Sequence, residues 1–113
     1  MNYEKIKSEI LDFVEERNRK QFHNPKDLAT AISIEASELE ELFLRKTPDE
    51  SYEIGRNDPR IKEEFADVFN CLVMFAEECG IDIEKEVLAK LEKNKMKYPV
   101  EKSKWKSNKY TEL

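Results

Sequence analysis

Four carboxylates in this chain have a spacing that suits a hard divalent cation. Glu35 and Glu38 form a Glu-x-x-Glu step, and Glu64 and Asp67 form a Glu-x-x-Asp step. Residues three or four apart share a helix face. Glu35 falls three residues after Ile32 and four before Leu39, within the apolar stripe Leu28, Ile32, Leu39, Leu42. Glu64 falls three after Ile61 and four before Val68, within the stripe Ile61, Phe65, Val68, Leu72, Phe75. A carboxylate near a buried face is costly unless something cationic meets it. Two such pairs on two helices make an all-oxygen cage, which favours Mg²⁺, with Mn²⁺ as the second choice. A di-iron bundle needs Glu-x-x-His steps on two helices. The only histidine, His23, lies outside both acidic steps. Mg²⁺ keeps several waters and shares itself with substrate phosphates, so the cage points to phosphoanhydride or phosphate-ester chemistry.

The elements that must hold these acids read as helices. With 113 residues, two Gly, four Pro and 40% charged residues, the chain is expected to be one all-α domain with a modest core. A first helix is expected over about residues 3–20, with Ile6, Ile10, Phe13 and Val14 on one face. A second opens at Asn24-Pro25, an N-cap followed by proline at the first helical position, and runs to about Lys46. Residues 47–58 contain Pro48 and Gly55 and read as a loop. A third helix opens at Asp58-Pro59 and closes at Gly80, a suitable C′ residue. A fourth starts at Asp82 and must stop near Tyr98, because Pro99 follows. Four amphipathic helices with short connections predict a four-helix bundle over residues 1–99, followed by a Lys-rich, loosely ordered tail over 100–113. Ile34, Phe43, Phe69, Val73 and Met74 widen the apolar surface beyond one seam, which predicts a homo-oligomer.

Charge and cysteine usage narrow the classes further. The net charge is −5, with eleven acids and five bases in residues 35–67, but eight Lys and two Glu in residues 90–109. An acidic centre with a basic tail is a poor footprint for duplex nucleic acid, and no stable nucleic-acid binding is expected. No apolar run approaches the roughly 18–20 residues that span a bilayer, and the start of the chain has no apolar signal core. No membrane partner and a cytoplasmic location are therefore expected. Cys71 and Cys79 lie eight residues apart on one expected helix. That is about 12 Å, too far for a disulfide within the chain, so two reduced and mostly buried thiols are expected.

The chain as a whole resembles the MazG-like, all-α nucleoside triphosphate pyrophosphohydrolases, near the dCTP pyrophosphatase branch. The strings that carry the resemblance are RNRKQFHNPKDL (17–28), IEASELEELF (34–43), EEFADV (63–68) and CGIDIEKEVLAKLEKNKMKYPV (79–100). The resemblance implies Mg²⁺-dependent cleavage of a nucleoside triphosphate to monophosphate and pyrophosphate, by helical dimers that often pair into tetramers. It implies that Glu35, Glu38, Glu64 and Asp67 hold the metal, and that His23, Lys90, Asn94, Lys97 and Tyr98 contact substrate. Glu38 is the expected general base for water attacking the α-phosphorus. Arg19, Arg45 and Cys71 stand where the dCTP pyrophosphatase branch has pocket-forming aromatics, with Phe13, Phe22 and Phe69 as candidate substitutes. An exclusive preference for cytosine is therefore not expected. The alternative reading is a helical adaptor that binds nucleotides without turning them over; the set of four acids argues against it.

Overall fold

The computed structural model describes residues 1–103. The tail beyond, including Trp105, lies outside the described residues. Every regular element among the described residues is helical, and the chain divides after Gly80 into two compact units.

The first unit contains α1 (Tyr3–Glu16), a 3₁₀ turn (Lys20–Phe22), α2 (Pro25–Glu41), α3 (Pro48–Asn57) and α4 (Pro59–Cys79). Its helix starts are dictated locally. The Asn24 side chain accepts from the Asp27 amide at 2.9 Å, with Pro25 behind it. The Asp58 carboxylate accepts from the Arg60 amide at 2.9 Å and also from its guanidinium. Such caps satisfy amides that have no partner inside the helix. Gly80 closes α4 with φ 65°, the left-handed conformation that glycine enters without a Cβ penalty.

α2 packs on α4 along the most extensive interface of this unit, and α1 and α3 also contact α4. The buried apolar residues among those described are Ile10 and Val14 of α1, Leu28 of α2, and Val73 and Ala76 of α4. Both buried α4 residues lie in its C-terminal half, where the Lys7–Glu77 ion pair at 3.4 Å joins α1 to α4. The apolar stripe therefore outruns its cover. Phe65 is 66% exposed and Leu72 42% exposed, although both belong to the stripe expected to be core.

The second unit contains α5 (Ile83–Lys97) and the single turn α6 (Val100–Ser103). The Asp82 side chain caps α5 by accepting from the Lys85 amide at 3.1 Å. Val87, Leu88 and Leu91 are about half exposed, at 53%, 55% and 48%.

Several sequence expectations are corrected. The first helix ends at Glu16, because Asn18 takes a left-handed conformation (φ 51°) that reverses the chain. The second ends at Glu41, and a turn with Arg45 at φ 64° follows. The expected loop 47–58 is largely α3. Thr47 and Glu50 form a reciprocal capping box, each side chain accepting from the other residue's amide. The start of the expected loose tail is helical in α6. Cys71 and Cys79 are both free as expected, but Cys79 is exposed and Cys71 half-buried.

Candidate metal centre

The α2–α4 interface brings the two acidic steps together. Glu35, Glu64 and Asp67 each offer a carboxylate oxygen, and these oxygens lie within 4.8 Å of one another. Glu35 and Glu64 are half-buried, while Asp67 and Glu38 are exposed at the rim. One oxygen of Glu35 and one of Glu64 are fully buried without a hydrogen-bond donor among the described residues. The ion pairs found among the described residues are Lys7–Glu77, Arg17–Glu16, Arg60–Asp58 and Lys95–Glu92, and none involves these acids.

Electrostatics follow from this crowding. Burial pushes the Glu35 carboxyl up to about 7, and the negative charges of Glu38, Asp67 and Glu64 add to the shift. Glu64 is also raised, by burial first and then by Glu38. Buried acceptors with no donor, repelling one another at close range, are a stable arrangement only when a proton or a cation joins them. The donor set is all oxygen, and it fits a hard divalent ion. Glu38 stands outside the tight group of three but next to it, since it acts on both Glu35 and Glu64.

A cavity of about 270 Å³ in the same unit is lined by Phe13, Arg19, Phe22, His23, Asp27 and Cys71, among others. Cys71 ties it to the acids. Burial raises its thiol pKa, and the charges of Glu35 and Asp67 raise it further. His23, expected from sequence to contact substrate, lies in this wall. Of the three positions that depart from the branch pattern, Arg19 and Cys71 line the cavity and Arg45 does not. Phe13 and Phe22 line it too, and Phe69 does not. Asp27 was legible in the sequence only as a helix-start residue; its second role in the wall has no sequence signal.

The remaining expected substrate residues belong to the second unit. Lys90 and Asn94 lie one helical turn apart on α5 and share a shallow groove with Val87 and Leu91. Lys97 ends α5, and the Tyr98 amide donates to the Asn94 carbonyl oxygen at 2.8 Å.

Among proteins of known activity, the chain is 38% identical to dCTP pyrophosphatase 1 of Homo sapiens, over 97% of this chain and 66% of that protein. The corresponding protein of Bos taurus is also 38% identical, over 97% of this chain and 67% of its own length. The chain thus spans about two thirds of the length of these relatives. Among solved structures, a pyrophosphatase from Archaeoglobus fulgidus superposes with a TM-score of 0.82 at 35% identity, covering 88% of this chain and 94% of that one. The sequence pattern of the MazG-like family matches residues 30–113, a span that takes in Glu38 and the three clustered acids, and the chain belongs to the MazG-like family.

Proposed function

We propose that this protein is a Mg²⁺-dependent nucleotide pyrophosphohydrolase that cleaves a nucleoside triphosphate to monophosphate and pyrophosphate. The observation that carries the reading is the group of Glu35, Glu64 and Asp67, whose oxygens lie within 4.8 Å, two of the residues burying an oxygen without a donor. The kinship with dCTP pyrophosphatases and with a solved pyrophosphatase supports the same chemistry.

Glu35, Glu64 and Asp67 would hold the ion, with the exposed Glu38 beside them as the fourth acid. Mg²⁺ (or Mn²⁺) held there would supply charge neutralisation for the triphosphate and a more acidic water. Glu38 is the carboxylate least committed to the tight group, so it takes the proton from the water attacking the α-phosphorus. The base occupies the Phe13–Phe22 cavity, with His23 in its wall. Lys90 and Lys97 stabilise phosphate charge, and Asn94 and Tyr98 bind phosphate or sugar oxygens. The exposed apolar faces of α4 and α5 support a homodimer or a pair of dimers. No described helix is long and apolar enough to cross a membrane, and a cytoplasmic role in clearing the nucleotide pool fits this reading.

The test is pyrophosphate release from a panel of ribo- and deoxynucleoside triphosphates, with Mg²⁺ and with chelator. Metal-dependent release by the parent protein is expected. Nucleotide binding without release would favour the adaptor reading instead.

A further inference from the structure

The wall of the cavity beside the acids combines aromatic rings with charged and polar side chains. Two phenylalanine rings, Phe13 and Phe22, supply flat apolar surface, and the Arg17 guanidinium lies 4.0 Å over the Phe13 ring centroid and steadies it. Flat rings on a cavity wall suit a planar heterocycle.

The charged and polar side chains that reach this wall are Arg19, His23 and Asp27. Asp27 is already committed. One of its oxygens accepts from the Asn24 side-chain amide at 2.8 Å, and its own amide caps onto the Asn24 oxygen at 2.9 Å. The Arg19 guanidinium has no hydrogen bond or ion pair with any described residue. Its backbone is fixed nevertheless: Asn18, at φ 51°, turns the chain, and the Arg19 amide donates to the Val14 carbonyl oxygen at 3.0 Å. Asparagine tolerates this left-handed conformation better than most residues. The result is an exposed donor-only fork, without a partner among the described residues, that lines the cavity from an anchored stretch of backbone.

We propose that Arg19 selects nucleotides whose base carries a carbonyl oxygen where cytosine and adenine carry an exocyclic amino group. This rests on the pyrophosphohydrolase reading and on the base occupying the cavity. A guanidinium presents only N–H groups. Facing a 4-amino or 6-amino group it meets donor with donor. Facing the 4-oxo group of uracil, or the 6-oxo group of hypoxanthine or guanine, it finds an acceptor, as arginine does at guanine edges in nucleic acids. The substrate class is therefore the oxo-base nucleoside triphosphates.

Matched pairs that differ in that group, and in the proton on the ring nitrogen next to it, provide the test. kcat/KM is measured for dUTP against dCTP and for dITP against dATP, at one Mg²⁺ concentration. The parent is expected to favour the oxo member of each pair by about tenfold or more. Arg19→Met, which keeps length without donors, brings both ratios close to one. Arg19→Gln, which both donates and accepts, also flattens them. A parent preference for the amino member, or ratios that survive both substitutions, overturns the proposal. If no nucleotide is hydrolysed, the hydrolytic reading fails by itself. The selectivity is then read by calorimetry with the α,β-imido analogues of dUTP and dCTP. Tighter binding of the dUTP analogue that is lost in Arg19→Met supports the proposal, and equal affinities overturn it.

Discussion

Glu35 of α2 and Glu64 of α4 each bury one carboxylate oxygen that meets no hydrogen-bond donor among the described residues, and both lie within one group of oxygens 4.8 Å across. The two helices are held together by the largest interface of their unit, so they cannot splay apart to relieve the repulsion without losing apolar contact. The cost of that arrangement should be visible in the dependence of stability on pH and metal.

The first prediction follows from the sign of the Glu35 shift. Its carboxyl sits at about 7 in the folded chain, against an ordinary value of 4.5. Folding therefore favours the protonated form. The stability it contributes is fully present below about pH 4.5 and is lost as pH rises through about 7. In chelator, the melting temperature should fall between pH 5 and pH 7.5, and Glu35→Gln should flatten that slope. Mg²⁺ binds the ionised form, so its stabilising increment should grow over the same interval, with proton release in calorimetry. A metal-free melting temperature that rises steadily from pH 5 to pH 7.5 and is unchanged in slope by Glu35→Gln would contradict the assignment.

Glu38 and Asp67 separate catalysis from folding. Both are exposed, so replacing either with Ala should leave helical content by circular dichroism intact. Turnover should fall by about 100-fold or more, the scale of a lost general base or metal ligand. Because the charges of Glu38 and Asp67 both help to raise Glu35, either change should also lower the Glu35 pKa, readable by NMR titration. Nucleotide hydrolysis at the parent rate in either variant would remove that residue from the machinery.

Assembly is tested by mass. Phe65 (66% exposed) and Leu72 (42%) on α4, and Val87 (53%) and Leu91 (48%) on α5, leave large apolar side chains in solvent, the kind of surface that marks an interaction site when contiguous. Light scattering at neutral pH in dilute solution should give a dimer or a tetramer. Phe65→Asp should shift the population toward monomer. A monomeric mass for the parent would leave the exposed faces without the explanation offered for them.

The acid set and the starts of α2, α4 and α5 were legible because each is written in a few adjacent residues. Asn24-Pro25, Asp58-Pro59 and Asp82 act on the amides next to them, and the two acidic steps recur at a helical spacing. The same code is present at Thr47-Pro48-Asp49-Glu50, where Pro48 and Gly55 mask it by resembling the punctuation of a loop. Thr47→Ala should destabilise the protein by about 1 kcal/mol, the usual worth of a helix N-cap, without altering turnover. The cavity had no such signal. It depends on the reversal at Asn18 and on the 3₁₀ turn Lys20–Phe22, which bring Arg19, Phe22 and His23 back toward α4. A left-handed asparagine in a polar run has no periodicity to betray it. The exposure of Phe65 has no sequence signal for a related reason: a stripe shows which face is apolar, but not whether this chain alone covers it.

The last prediction concerns Arg45. The family resemblance groups it with Arg19 and Cys71 at pocket positions, but it does not line the cavity. It occupies the turn after α2 with φ 64°, a left-handed conformation. A residue with a Cβ spends about 1–2 kcal/mol to sit there. Glycine avoids that strain but loses more chain entropy on folding, about 0.5–1 kcal/mol. The balance favours glycine slightly, as it does at the C′ position of many helices. Arg45→Gly should therefore raise the melting temperature by a few degrees and leave the dUTP-to-dCTP and dITP-to-dATP ratios where the parent has them. Arg19→Met should do the reverse, with little change in melting temperature and a collapse of both ratios. If Arg45→Gly alters base selection as strongly as Arg19→Met, Arg45 reaches the base in the working assembly, and its left-handed turn serves substrate recognition rather than the exit from α2.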